Sequence, residues 1–118
     1  MAQKLSSGAQ RKLDALVEAR RKMDRIHSLV ELAASQPSGE EMYLGQIRRA
    51  AADVGRVFMN NGYGPLADAT NQMSLATKRG GKIQTKVRSL RELVASVKAG
   101  MERAERAVYE EDKKPPAS

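Results

Sequence analysis

The chain has no cysteine and no tryptophan, and only four of its 118 residues are aromatic. The absence of cysteine excludes disulfides and thiolate metal sites. Because aromatic rings are so scarce, a core has to be built from Leu, Val, Ile, Met and Ala, which suits helices packed on helices. Hydrophobic residues still make up 41% of the chain, enough for one folded domain and too many for full disorder.

Long apolar runs are also missing. The first residues, MAQKLSSGAQRK, lack the apolar centre of a signal peptide. No run approaches the roughly 18 apolar residues that a membrane-spanning helix requires. We therefore expect a cytoplasmic protein without a membrane span.

Residues that commonly carry catalysis are few. His27 is the single histidine and falls at the margin of an apolar helical face, where a packing or capping role is more common than chemistry. No second histidine, G-x-S-x-G motif or phosphate-binding glycine loop accompanies it. The sequence thus predicts no enzyme active site, no metal site and no cofactor.

Apolar residues recur at steps of three and four in four segments, and no segment has the alternation of a strand, which predicts an all-α protein. We expect a bundle of about four helices in one domain over residues 1–112, followed by a flexible Lys/Pro tail at 113–118. The first and fourth helices are predicted to be long. The first ends near Ser35, and the fourth runs from about 83 to 111. Two shorter helices, at about 38–60 and 65–78, lie between them.

Two local patterns in the second helix carry structural predictions. Ser38 and Glu41 form an S-x-x-E pattern, which predicts a capping box at the start of the helix. Gly45, Ala52 and Gly55 form a track of small residues beside its apolar stripe. Since each glycine costs about 1 kcal/mol of helix propensity relative to alanine, the track indicates either close backbone packing or simple tolerance.

The fourth helix carries a strict seven-residue apolar repeat. Such a repeat is typical of the seam of an intramolecular bundle, and equally of a helix that pairs with a partner. Both interpretations stay open at this level. The repeat consists of Ile83, Val87, Leu90, Val94, Val97, Met101, Ala104 and Val108.

The formal charge is +7, from 21 Lys and Arg against 14 Asp and Glu. An excess of this sign attracts polyanions, nucleic acid first and anionic membrane or acidic protein second, or it merely keeps the chain soluble. The bases concentrate in two clusters. The sharper one is an acid-free run, Lys78, Arg79, Lys82, Lys86, Arg88 and Arg91; the other is Arg20, Arg21, Lys22 and Arg25.

The charges of the fourth helix run against its own dipole. A helix start prefers acids and a helix end prefers bases, each misplaced charge costing about 0.3–1 kcal/mol at low salt. Here the bases lie at the start and five acids lie near the end. A bound phosphate would offset the cost at the start. The alternatives are screening by solvent, or acidic and basic ends that meet within a bundle or an oligomer.

These patterns lead to a functional hypothesis. We expect a non-catalytic protein that binds RNA or DNA backbone with little sequence specificity, because few aromatic side chains are present for base stacking. Residues 81–94, GKIQTKVRSLRELV, resemble the basic helical segment of small all-α subunits of CRISPR effector complexes, over this stretch and without a diagnostic motif. That resemblance implies a small subunit of a larger nucleoprotein assembly.

Three alternatives remain, the third being binding to an anionic membrane surface, which is disfavoured because the bases are not set against a bulky aromatic face. The first is a structural or adaptor protein that assembles with other subunits, or with itself, through the fourth helix. The second is a helix-turn-helix unit at the Asn60–Pro65 corner, in which the third helix presents base-contacting side chains, namely Asp68, Thr70, Asn71 and Gln72.

Overall fold

The computed structural model describes residues 5–113, which form four α-helices and no strand. Helix α1 spans Ser7–Ser35, α2 spans Glu40–Asn60, α3 spans Gly64–Lys78 and α4 spans Ile83–Lys113. The all-α bundle with long first and fourth helices is confirmed. Helix α4 includes Lys113, the first residue of the predicted flexible tail, and the rest of that tail, residues 114–118, lies outside the described residues.

The four helices form an antiparallel ring. Each helix packs against the next along the chain, and α4 closes the ring by packing against α1, so α1 lies diagonally across from α3. The bundle is elongated, measuring 58 × 26 × 18 Å. The core is one continuous cluster that includes Leu16, Met23 and Ile26 of α1 and Leu44 and Ile47 of α2. The α1/α2 and α3/α4 connections lie at one end of the bundle, and the α2/α3 corner lies at the other.

The heptad seam of α4 is buried inside this bundle, between α1 and α3. Leu90, Val97 and Met101 are at most 1% exposed, and Ile83 and Ala104 at the ends of the repeat are half-buried. The apolar repeat is therefore satisfied within the chain, and a partner helix could reach it only if the bundle opened.

The start of α2 differs from the prediction. Residues Pro37–Gly39 form a 3₁₀ turn, the N-cap is Gly39, and no side chain caps the helix, so the predicted capping box of Ser38 and Glu41 is wrong. The ring of Tyr43 packs over Gly39 instead, and a Cβ on Gly39 would lie 2.8 Å from that ring. The Tyr43 hydroxyl donates to Oε1 of Gln36 at 2.9 Å. Tyr43 thus closes the turn before α2, the helix that Ser38 was expected to cap.

The small-residue track has a clear role at one of its positions. A Cβ on Gly55 would lie 2.9 Å from Oγ1 of Thr70, so α2 and α3 approach closely there. Thr70, expected on the exposed face of a reading helix, is only 1% exposed. Its hydroxyl donates to the Ala67 carbonyl at 2.8 Å, which satisfies it inside the core. The face proposed for base contacts by a helix-turn-helix therefore lacks Thr70.

Candidate nucleic-acid interface

Five of the six bases in the acid-free run gather at one end of the bundle, where α3 ends and α4 begins. Lys78 occupies the last turn of α3, and Arg79 is its C-cap. Gly81 adopts a φ of 114°, which only glycine accepts readily, and the chain reverses there into α4. We call this surface the basic end: Lys78, Arg79, Lys82, Lys86 and Arg88, of which Lys86 is half-buried and the others are exposed.

No acid in the described part of the chain forms an ion pair with these five side chains. The ion pairs within residues 5–113 involve other bases. Glu92 is the nearest acid along α4, and it lines grooves with Arg79 on one side and Arg88 on the other without pairing with either. The basic end therefore presents an uncompensated positive surface.

Arg91, the sixth base of the run, is used inside the fold. Its guanidinium donates from Nε to Oε2 of Glu31 at 2.8 Å and from Nη2 to Oε1 at 2.6 Å. This pairing holds the pKa of Glu31 below its ordinary value and raises the pKa of Arg91. Arg91 lies on the flank of α4 that faces α1, so its charge is balanced at the edge of the basic end.

The start of α4 adds backbone donors to the basic end. The Lys82 carbonyl accepts from the N–H groups of Thr85 and Lys86 at 3.1 and 3.3 Å. The N–H groups of Ile83 and Gln84, which directly precede Thr85, donate to no backbone acceptor in the described part of the chain. Free N–H groups at a helix start favour an anion, and the surrounding bases act in the same direction.

The second predicted cluster is divided. Arg20 pairs with Glu105 of α4 at 3.0 Å, and Lys22 approaches Glu18 at 4.0 Å on its own helix. Arg21 and Arg25 are exposed and form no ion pair within residues 5–113.

The two clusters do not form one continuous surface. Arg25 lies about 15 Å below the end of α1, since a helix rises 1.5 Å per residue. Helix α1 also lies diagonally across from α3, whose end the basic surface covers.

Helix dipoles explain part of the unusual charge distribution. Helix α1 has no acid in its first turn and no base in its last turn. Helix α4, its antiparallel neighbour, supplies the missing acid at the start of α1. Oδ2 of Asp112, near the end of α4, accepts from the Ser6 N–H at 3.2 Å. Lys78 likewise complements the end of α3. Lys82, Lys86 and Arg88 at the start of α4 have no such compensation from their own helix.

One base near the basic end was not predicted from the sequence. Arg48 of α2 is half-buried, and its Nη1 donates to Oγ1 of Thr77 at 3.3 Å, next to Lys78. The sequence signal for this proximity is weak, because Arg48 is followed only by Arg49 and lies thirty residues before Lys78. Only the packing of α2 on α3 brings it to this end of the bundle.

His27 lies away from the basic end on the α1–α4 flank. Its Nδ1 is 3.4 Å from Nζ of Lys98, which pairs with Asp24 at 3.0 Å. Within the described residues, no group of three or more His, Asp or Glu side chains is placed to hold a metal ion. Nor is any of the four helices both long and apolar enough to cross a membrane.

Comparison of the chain with protein families, with curated proteins and with solved structures gave no match.

Proposed function

We propose that this protein binds the phosphate backbone of RNA or DNA through the basic end, as a non-catalytic subunit of a larger nucleoprotein assembly. The observation that carries the proposal is the contrast between paired and unpaired bases. Arg20 and Arg91 are balanced by carboxylates, whereas the five residues of the basic end form no ion pair in the described part of the chain. Unpaired bases around free helix N–H groups are the features that attract phosphate.

The proposed contacts are ionic rather than stacking contacts. Tyr43 is the aromatic residue nearest the basic end, and its ring and hydroxyl are engaged with Gly39 and Gln36. Tyr63 lies at the opposite end, where it packs edge-on against Phe58 at 6.5 Å. Backbone contacts without base stacking give an affinity that depends little on sequence and falls steeply with salt.

The size of the salt effect follows from the number of bases. Each neutralised phosphate contributes about 0.7 to 0.9 to the slope of log affinity against log salt. Contacts from all five side chains of the basic end would give a slope of about 3 to 5 in magnitude. Arg21 and Arg25, which are exposed on α1, form a secondary candidate surface that would add to this slope only if the nucleic acid extended along the bundle.

The test is a salt titration of binding to a labelled single strand and to the corresponding duplex. The informative variant reverses three charges together, Lys82→Glu, Lys86→Glu and Arg88→Glu. The matched control carries Arg49→Glu, Arg103→Glu and Arg106→Glu, which change the net charge equally but lie outside the basic end. We expect the first variant to abolish binding and the control to retain most of it.

Two results would contradict the proposal. One is the absence of binding by the unaltered protein at low salt. The other is an equal loss of affinity in both triple variants, since that would reflect net charge rather than a site.

The alternative function, an adaptor that assembles through α4, would have to use the outer side of that helix, because the inner seam is buried. Ala95 and Ala99 are exposed on that outer side and would allow a close approach. Sedimentation at increasing protein concentration distinguishes self-assembly from a monomer.

A further inference from the structure

We infer that Arg48 belongs to the same phosphate-binding surface, which therefore crosses from α4 over the end of α3 onto α2. This inference rests on the proposed function of the basic end. It adds a residue from a helix that carries none of the bases selected from the sequence.

A chain of hydrogen bonds fixes the Arg48 head group beside the basic end. Thr77 is buried, and its hydroxyl donates to the Ser74 carbonyl at 2.7 Å. The same oxygen accepts from Nη1 of Arg48 at 3.3 Å. Thr77 lies in the last turn of α3 with Lys78, so the guanidinium is held at the level where the basic end begins. Thr77 is thus a positioning residue for Arg48.

A hydroxyl orients this guanidinium without cancelling its charge. Arg91 and Arg20 are held by carboxylates, but Arg48 forms no ion pair within residues 5–113. A guanidinium has five N–H donors in a rigid fork, and Thr77 accepts from one of them. The remaining donors suit the bidentate recognition of a phosphate.

Gly45 lies beside the guanidinium of Arg48. It lies three residues before Arg48, and a Cβ built there would be 3.6 Å from Nη2 of Arg48, with no other contact nearby. This is an ordinary contact distance, so the guanidinium lies against α2 at this position of the small-residue track and an alanine there would be tolerated.

Arg49 provides a matched control. It carries the same charge as Arg48, is exposed, and lies about 100° further round the helix, because α-helices have 3.6 residues per turn. It has no hydrogen bond to α3 among the described residues. If binding depended on general electrostatic attraction, replacing either arginine should weaken it equally. If Arg48 contacts a bound phosphate, only the replacement of Arg48 should weaken it.

The experiment compares Arg48→Gln with Arg49→Gln in the full chain, using a labelled mixed-sequence RNA of about 20 nucleotides at salt concentrations between about 50 and 200 mM. We expect Arg48→Gln to lower the slope of log affinity against log salt by about 0.7 and to weaken binding about three- to tenfold at low salt. Arg49→Gln should leave both quantities close to those of the unaltered protein.

Variants of Thr77 test the positioning role. Thr77→Val keeps the Arg48 charge but removes its acceptor, so we expect weaker binding with little change in slope. Thr77→Ser restores the hydroxyl and should restore the affinity. If Arg48→Gln disturbs the fold, as judged by circular dichroism, Arg48→Lys replaces it. That variant keeps the charge without the fork and should bind more weakly at an unchanged slope.

The outcomes separate the two proposals. If the unaltered protein binds and Arg48→Gln behaves like Arg49→Gln, the inference about Arg48 is wrong and the function of the basic end stands. The same holds if Arg48→Lys, used as the replacement, binds like the unaltered protein. If the unaltered protein binds neither this RNA nor a DNA of the same length at low salt, the proposed function is overturned, and the assignment of Arg48 with it.

Discussion

Glu31 of α1 holds the guanidinium of Arg91 of α4 through two hydrogen bonds, although the two residues are sixty positions apart along the chain. The pair lies on the flank between the two longest helices and borders the basic end. It removes one base from a run of six and places a carboxylate at the boundary of the surface. Glu31 therefore limits how far the positive surface extends towards α1.

Replacing Glu31 with glutamine should strengthen nucleic-acid binding. The substitution releases Arg91 and removes a carboxylate from the edge of the basic end. We expect the slope of log affinity against log salt to steepen by up to about 1, measured by fluorescence anisotropy. A Glu31→Gln, Arg91→Gln double variant should lose this gain. Unchanged binding in the single variant would show that Arg91 cannot reach the nucleic acid.

The same pair predicts a pH dependence of stability. Because Arg91 lowers the pKa of Glu31 from an ordinary value of 4.5, the ionised carboxylate stabilises the folded state. This contribution is present above pH 4.5 and is lost as the pH falls through the lowered value. Both side chains are about half exposed, so screening by solvent keeps this contribution small.

Urea unfolding of the unaltered protein and of Glu31→Gln at pH 7 and pH 3 measures this contribution. The difference in the free energy of unfolding between the two proteins should shrink at pH 3. Glu92→Gln serves as a control, because Glu92 forms no ion pair in residues 5–113. A difference that stays constant with pH would contradict the role assigned to ionised Glu31.

Gly55→Ala should destabilise the bundle, although alanine favours helix by about 1 kcal/mol. The added methyl group would lie 2.9 Å from Oγ1 of Thr70, which is buried and bonded to its own helix. We expect a net loss of about 1 kcal/mol in the free energy of unfolding.

Two comparisons isolate the cause of that loss. Gly45→Ala has open space apart from the Arg48 side chain and should stabilise the protein. In a Thr70→Ala background, Gly55→Ala should become neutral or stabilising, as thermal unfolding would reveal. A loss that persists in that background would mean that Thr70 is not its cause.

Leu90→Ala should lower the free energy of unfolding by about 2–5 kcal/mol, because Leu90 is fully buried in the seam. Leu75→Ala provides a control, since Leu75 is 44% exposed and should lose much less. The Tm of the unaltered protein should not depend on its concentration, because the seam is filled within one chain. A Tm that rises with concentration would indicate that association contributes to stability.

The helices were predictable from the sequence because their apolar residues repeat over many turns. The repeat from Ile83 to Val108 defines α4 and its buried face. Helix α2 ends at Asn60, as predicted, and Gly62, with a φ of 80°, follows its C-cap Asn61. An apolar repeat and a helix end depend on residues that are close along the chain, so both can be recognised in the sequence.

Features that depend on packing between helices were not predictable. The Ser38 pattern satisfies the rule for a capping box, but Tyr43 closes that turn through its own contacts with Gly39 and Gln36. Thr70 appears polar in the sequence, yet a hydrogen bond to the Ala67 carbonyl allows its burial.

The candidate site was predicted in part. The bases of the acid-free run adjoin along the chain, so their common location follows from the helix boundaries. Arg91 pairs with Glu31, and Arg48 lies near the basic end, because of which helices are neighbours in the bundle. Patterns along a single sequence do not reveal which helices are neighbours.

The hydrogen bond from Ser6 to Asp112 brings the start of α1 and the end of α4 together, about 45 Å along α4 from Lys82. A fluorophore pair attached near these two positions would be close in the folded bundle and would separate when α1 and α4 part. Energy transfer between them would therefore report on opening of the bundle while nucleic acid occupies the far end. A surface tether at either position would also leave the basic end accessible to long polymers.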